Sequence, residues 1–239
     1  VHATIQKPIE EIVGYLRPGE KVFVVGCGNC AMKCHSGGIP ETEAMAKRLA
    51  DRGVDVVGCN VPGPAGMSLC KLSNTRKVLQ QDCAEQTQKA DSYVVLACGQ
   101  GIHTVIDATD GAMVHPGCDT IFGGETVSDT QIEEFCSLCG QCVIEFTGGL
   151  CPMTLCAKSL LNGPCGGAEN GKCEVDAQRD CGWIVIYERL KKLNRLDLLE
   201  GYREPKNHSR WSRPRSLKVS PHQATFCFQA SSVTVKNDD

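Results

Sequence analysis

The sequence predicts an α/β fold: a parallel, Rossmann- or flavodoxin-like sheet domain, followed by a cysteine-rich metal-binding domain and a long C-terminal helix. Three observations carry that reading. Apolar runs of strand length alternate with amphipathic stretches through the first half of the chain, which is the pattern of parallel strands joined by right-handed crossovers. The 17 cysteines outnumber the aromatic residues (2 Trp, 4 Tyr and 6 Phe), and the later ones crowd into a short region. An apolar stripe at helical period then runs through residues 183–199.

Taken in order, Ile5 to Leu16 is a predicted amphipathic helix opened by Pro8, followed by a Pro-Gly turn. Lys21 to Val25 is a continuous apolar run, the mark of a buried strand. Glu41 to Arg52 follows Pro40 and stops before Gly53, as a helix does, and Val54 to Cys59 is a second strand. Ser73 caps a helix running to about Ala90. Tyr93 to Cys98 is the third strand, Ile102 to Ala108 a short helix, and Asp119 to Phe122 the fourth strand. Cysteine loops with short helical pieces follow, Asp129 to Phe135 among them. The last helix, Trp183 to Leu199, carries Trp183, Ile186, Tyr187, Leu190, Leu193 and Leu196 on one face. The domains expected are residues 1–125 (parallel α/β with a cluster-binding loop), 126–200 (cysteine-rich) and 201–239. The last is an extended tail whose basic first half docks on a protein surface.

The length, 239 residues, is enough for a real core. A net charge of -3 removes the whole-chain electrostatic case for binding nucleic acid. No run approaches the roughly 18 consecutive apolar residues of a membrane span. The opening VHATIQKPIEEIVGY lacks the basic-then-apolar profile of a secretory signal, so the expected setting is cytoplasmic. No P-loop and no nucleophile elbow is present.

Spacing decides what the cysteines are for. Cys27, Cys30 and Cys34 form one group, and Cys136, Cys139, Cys142, Cys151, Cys156, Cys165, Cys173 and Cys181 another, with Cys98 apart. An odd count without an export signal speaks against a disulfide framework, and short spacings speak for thiolate ligands. Cys59, Cys70, Cys83, Cys118 and Cys227 read as core or surface thiols. Cys59 keeps a second possibility, because the first three strands end at Cys27, Cys59 and Cys98, and ligands in open parallel sheets sit beyond the strands' carboxyl ends.

Gly26-Cys27-Gly28-Asn29-Cys30-Ala31 fits a dinucleotide fingerprint only loosely, since Gly58-Cys59-Asn60 stands where an acidic ribose ligand belongs. A Cys27/Cys30 dithiol is also open. The third thiol at Cys34 makes a cubane with one remote ligand the more economical reading. Cys136-x2-Cys139-x2-Cys142 is the local part of the bacterial ferredoxin pattern, although its Cys-Pro, Cys151-Pro152, stands further off than in that pattern. Eight thiols make two sites' worth, either two cubanes or one cubane and one four-cysteine zinc. His35, His103 and His115 are given no role.

Pro164-Cys165-Gly166-Gly167, Lys172-Cys173-Glu174-Val175-Asp176, Cys181, Trp183, Tyr187-Glu188-Arg189-Leu190 and Arg195-Leu196-Asp197-Leu198-Leu199 together resemble the cysteine-rich C-terminal domain of MetV-type small subunits of methylenetetrahydrofolate reductases. The N-terminal Gly26-Cys27-Gly28-x-Cys30-x3-Cys34-x2-Gly37-Gly38 and the Cys136–Cys142 segment are similar to the same family. The resemblance implies an electron-transfer subunit, not itself catalytic, that passes electrons through two or three [4Fe-4S] clusters to a flavin-containing (FMN or FAD) catalytic partner. That partner reduces methylene- to methyl-tetrahydrofolate, and a further electron-donor subunit would stand upstream. It also implies cluster-ligand roles for Cys27, Cys30, Cys34 and Cys98, the last chosen over Cys59 on this ground. Cys136, Cys139, Cys142 and Cys181 are taken as one further site and Cys151, Cys156, Cys165 and Cys173 as the other. Family members are also zinc-binding here, so a zinc in place of one cluster, or a purely structural zinc-stapled subunit, is the alternative.

Overall fold

Lys21-Val22-Phe23-Val24-Val25 has no polar face, so as a strand it must be covered on both sides. The computed structural model, which describes residues 1–220 and 223–227 with side chains through residue 217, places it second in a four-stranded parallel sheet. The elements of the first unit, Val1–Glu134, are β1 (His2–Gln6), α1 (Ile9–Tyr15), β2 (Lys21–Gly26), α2 (Cys30–Lys33), α3 (Ile39–Ala50), β3 (Asp55–Asn60), α4 (Leu72–Lys77), α5 (Ala84–Thr87), β4 (Ser92–Leu96), α6 (Gly99–Ala108), β5 (Met113–Pro116), β6 (Cys118–Gly123), β7 (Glu125–Ser128) and β8 (Gln131–Glu133). The parallel order is β3-β2-β4-β5, in register Val24 to Cys59 on one side and Val24 to Val94 on the other.

Side chains alternate across the sheet. Val22, Val24, Val94 and Leu96 pack with Ile9, Ile12, Met45 and Leu49 of α1 and α3. Phe23, Val25, Tyr93 and Val95 pack on the other face with Leu69, Leu79, Val105 and Ala108. Because β2 sends its chain outward to β3 while β4 lies on its other flank, the strand order reverses between β2 and β4, and the crevice beyond their carboxyl ends is the switch point.

Several expected elements differ, each for a local reason. The residues before Pro8 are not helical: His2–Gln6 pairs antiparallel with β6, and the helix begins only after Pro8, at Ile9. The fourth parallel strand is Met113–Pro116, too short and too mixed to stand out. Asp119–Phe122 belongs instead to β6, outside the parallel sheet, since the chain turns away at Pro116-Gly117, where a Cβ on Gly117 would lie 2.4 Å from Leu96 Cδ2. The helix from Ser73 starts at Leu72 and is broken by a π-helical turn, Val78–Asp82, which lets Val78, Leu79 and Cys83 all reach the core. Asp129–Phe135 is not a helix. Its first residues turn the β7/β8 hairpin, so the first unit extends past residue 125 to Glu134.

The second unit begins at Phe135. It holds α7 (Pro152–Leu155), β9 (Lys172–Cys173), β10 (Asp176–Asp180), α8 (Gly182–Lys192), β11 (Ser216–Ser220) and β12 (Gln223–Cys227), with 3-10 turns at Ile144–Thr147, Leu196–Leu199 and His208–Trp211. The predicted helix to Leu199 stops at Lys192 because Asn194 adopts a left-handed conformation (φ 55), which Asn tolerates and a helix does not. Its small core is Cys181, Trp183, Ile186 and Leu190. The segment expected as an extended tail contains a 3-10 turn and the β11/β12 hairpin; the rest of it, and the Cys227 side chain, lie outside the described residues. No helix among the described residues is long and apolar enough to cross a membrane.

Candidate functional site

The loop after β2 is built for close approach. Gly26 and Gly37 sit where a Cβ would meet Thr42 Oγ1 at 2.1 Å and the Leu96 carbonyl oxygen at 2.1 Å respectively, so the loop lies flat on the end of β4. The Cys27 N–H donates to the Gly37 carbonyl at 2.7 Å. Asn29 Nδ2 donates to Ser68 Oγ at 2.8 Å, and Gly66 N–H donates to the Gly28 carbonyl at 2.8 Å, which brings the 61–70 loop over the cysteines. The helix that follows is a single turn, Cys30–Lys33, so the loop lacks the long helix that a dinucleotide fingerprint requires.

Four sulfurs gather here. Cys27 and Cys98 are buried at the ends of β2 and β4. Cys30 sits in electrostatic reach of both: burial pushes its thiol up, a backbone N–H of His2 opposes that, and the Cys27 and Cys98 sulfurs add to the rise. Cys34 accepts from the Thr4 N–H at 3.4 Å and donates to the His2 carbonyl at 3.7 Å. His2 Nδ1 lies 3.8 Å from Cys98 Sγ. Strand β1 thus touches Cys30, Cys34 and Cys98, a role nothing in the sequence marked, since His2, Ala3 and Thr4 precede the helix expected from Ile5. Cys118 adds a fifth thiol. It donates to the Ser36 carbonyl at 3.5 Å, and burial pushes it up to about 12, with Cys34 and Cys98 among its neighbours.

Cys59 is elsewhere. It lies inside β3 and packs against the Met45 and Leu49 layer, and burial with Glu43 nearby pushes its thiol up. Three strand-end cysteines therefore do not share one crevice; two do, at the switch point. Cys83 is in the core and Cys70 is exposed. His115 is buried against Glu20 at 3.1 Å, and His35 and His103 are exposed beside Glu41 and Asp107.

In the second unit, Cys156, Cys165, Cys173 and Cys181 line one cavity of about 20 Å³. That groups Cys181 with three of the cysteines expected as the other set and leaves Cys151, at the start of α7, outside it. The reason is topological: β9 ends in Cys173, and the β9/β10 hairpin returns the chain so that the Cys181 N–H meets the Gly171 carbonyl at 2.8 Å. Backbone N–H bonding from Gly167 at 3.5 Å and the charge of Lys158 hold Cys165 below the ordinary thiol range. Cys136, Cys139 and Cys142 lie in the loop before Ile144–Thr147. Burial pushes Cys139 up, but the Lys206 ammonium, the Gln141 backbone and Ser137 outweigh it and leave it below the ordinary value. Nothing in the sequence pointed to Lys206.

None of the described cysteines is in a disulfide. Among the described residues no group of three or more His, Cys, Asp or Glu is drawn in to the spacing of a single bound ion. The donor set is nonetheless thiol-rich, supplied with N–H groups and, at Cys139 and Cys165, held toward the thiolate, which is the form that ligates.

No curated protein and no solved structure matches the chain. Residues 115–209 match the family described as methylene-tetrahydrofolate reductase C terminal. That span holds all eight cysteines from Cys136 to Cys181 as well as Lys206. Over those residues, about two fifths of the chain, it is similar to that family.

Proposed function

We propose that this chain is an electron-transfer subunit of a methylenetetrahydrofolate reductase, holding iron–sulfur centres that feed a flavin-containing catalytic partner. The observation that carries it is the convergence of Cys27, Cys30, Cys34 and Cys98 at the switch point of the parallel sheet, where β1 brings the Thr4 N–H to Cys34 and the His2 ring to Cys98. Such a four-thiolate set suits a [4Fe-4S] cluster, which supplies one-electron transfer when bound. The protein's own part is to fix the sulfurs: β2 and β4 hold Cys27 and Cys98, the loop holds Cys30 and Cys34, and β1 covers them with the His2 and Thr4 amides. Burial of Cys27 and Cys98 keeps water from the set.

In the second unit Cys156, Cys165, Cys173 and Cys181 line one small cavity, and these four thiols would hold a structural zinc there. Cys136, Cys139 and Cys142, with Cys151 as the nearest remaining thiol in the chain, are the candidate ligands of a second cluster. The test is iron content by variant on the full chain. Cys98→Ala should lose about four irons, whereas Cys59→Ala should keep them all. Equal iron in both variants overturns the assignment.

A further inference from the structure

The segment after Glu204 returns to the Cys136–Cys142 loop of the same unit and binds it along its length. Lys206 Nζ donates to Cys139 Sγ at 2.7 Å and to the Gln141 carbonyl at 2.6 Å. The Asn207 N–H donates to Gln141 Oε1 at 2.7 Å. Arg210 Nη1 donates to the Gly140 carbonyl at 3.5 Å and Arg215 Nη1 to the Leu138 carbonyl at 3.2 Å. Gly140 has φ 78, which disfavours a side chain, and a Cβ there would lie a tight 3.2 Å from Arg210 Cβ, so the two backbones approach closely. The strap is itself fixed, because Asn207 Oδ1 accepts from the Ser209 N–H at 3.1 Å and caps the His208–Trp211 turn.

Within the chain Lys206, Arg210 and Arg215 donate to the Gln141, Gly140 and Leu138 carbonyls of one cysteine loop, and of the three Lys206 also reaches sulfur. An ammonium at hydrogen-bond distance from a half-buried sulfur acts at lower effective dielectric than in water. A thiolate-bound centre becomes more negative on reduction, so a fixed positive charge and an N–H···S bond both favour its reduced state.

We propose that Lys206 is a positioning residue for the redox centre on Cys136, Cys139 and Cys142, and that the Lys206–Arg215 strap holds this loop closed and raises the centre's reduction potential. The inference rests on the reading of that triplet as cluster ligands.

The experiment uses the full chain loaded without oxygen with ferrous iron and sulfide. In Lys206→Ala the potential of the signal that Cys139→Ser abolishes should fall, and iron should pass to a ferrous chelator several-fold faster. Lys206→Arg should restore most of both, and Lys191→Ala, on exposed α8 surface, should match wild type. Unchanged potential and release in Lys206→Ala, while Cys139→Ser loses its signal, overturns the role of Lys206 alone. Full iron and signal in Cys139→Ser overturns the cluster reading and this inference with it. In the metal-free chain, a short amine-to-thiol crosslinker should join Cys139 to Lys206, and absence of that product contradicts the strap.

Discussion

At the scale of single residues, the same side chain behaves according to what faces it. Cys118 is a buried hydrophobe, pushed up to about 12 by burial, while Cys139, also partly buried, falls below the ordinary range because Lys206 and backbone groups face it. Glycine at position 37 shows the opposite kind of constraint, an absence of atoms. Gly37→Ala sets a Cβ against the Leu96 carbonyl oxygen at 2.1 Å. Backbone must shift to admit it, so the expected cost is about 1–3 kcal/mol, read as a lower denaturant midpoint, together with weaker iron retention at Cys27 and Cys30. Glu20 gives a pH prediction. Burial pushes its carboxyl up, but the Arg17 N–H at 2.7 Å and His115 at 3.1 Å more than offset this and leave it below the ordinary 4.5. A depressed carboxylate contributes stability that is present above pH 4.5 and lost as pH falls through the folded value. Between pH 7 and pH 3 the wild type should therefore lose more unfolding free energy than Glu20→Gln; equal losses would contradict the assignment.

At the scale of elements, what was legible depended on length and pattern. Lys21–Gly26, Ile39–Ala50, Asp55–Asn60 and Ser92–Leu96 could be read because long apolar runs and Pro or Gly boundaries are local signals. β1 and β5 could not, since five and four residues acquire strand geometry only from their partners. Residues 125–133 show the same limit: Thr126 and Ile132 are strand formers paired across the turn, a contact that helical periodicity does not report. In α8, Ile186 and Leu190 are fully buried in a core of four buried residues. With so little redundancy, Ile186→Ala should destabilise the second unit by about 2–5 kcal/mol, measured as an earlier unfolding transition of the zinc-loaded chain. A shift under about 0.5 kcal/mol would contradict the core assignment.

At the scale of the whole molecule, the placement of Cys27 and Cys98 at neighbouring strand ends could be read before any coordinates, because strand ends and switch points follow from topology. Preference for Cys98 over Cys59 as a proposed ligand rested on resemblance; in the strand order β4 adjoins β2 at the reversal, whereas Cys59 faces the α3 layer. The grouping of the later cysteines was not legible, since loops joined by hairpins do not keep sequence neighbours together in space. Cys181 therefore sits with Cys156, Cys165 and Cys173 around one cavity. Lys206 was hidden for the same reason, as a lysine among basic residues carries no sequence mark of the sulfur it meets. The central claim, an electron conduit with one structural metal, is tested most directly by iron, acid-labile sulfide and zinc per full chain purified without oxygen, read with the EPR spectrum after dithionite. The account predicts about eight irons with matching sulfide and a reducible signal, and about one zinc. Zinc with neither iron nor sulfide, and no signal on reduction, would contradict it and make this chain a structural subunit.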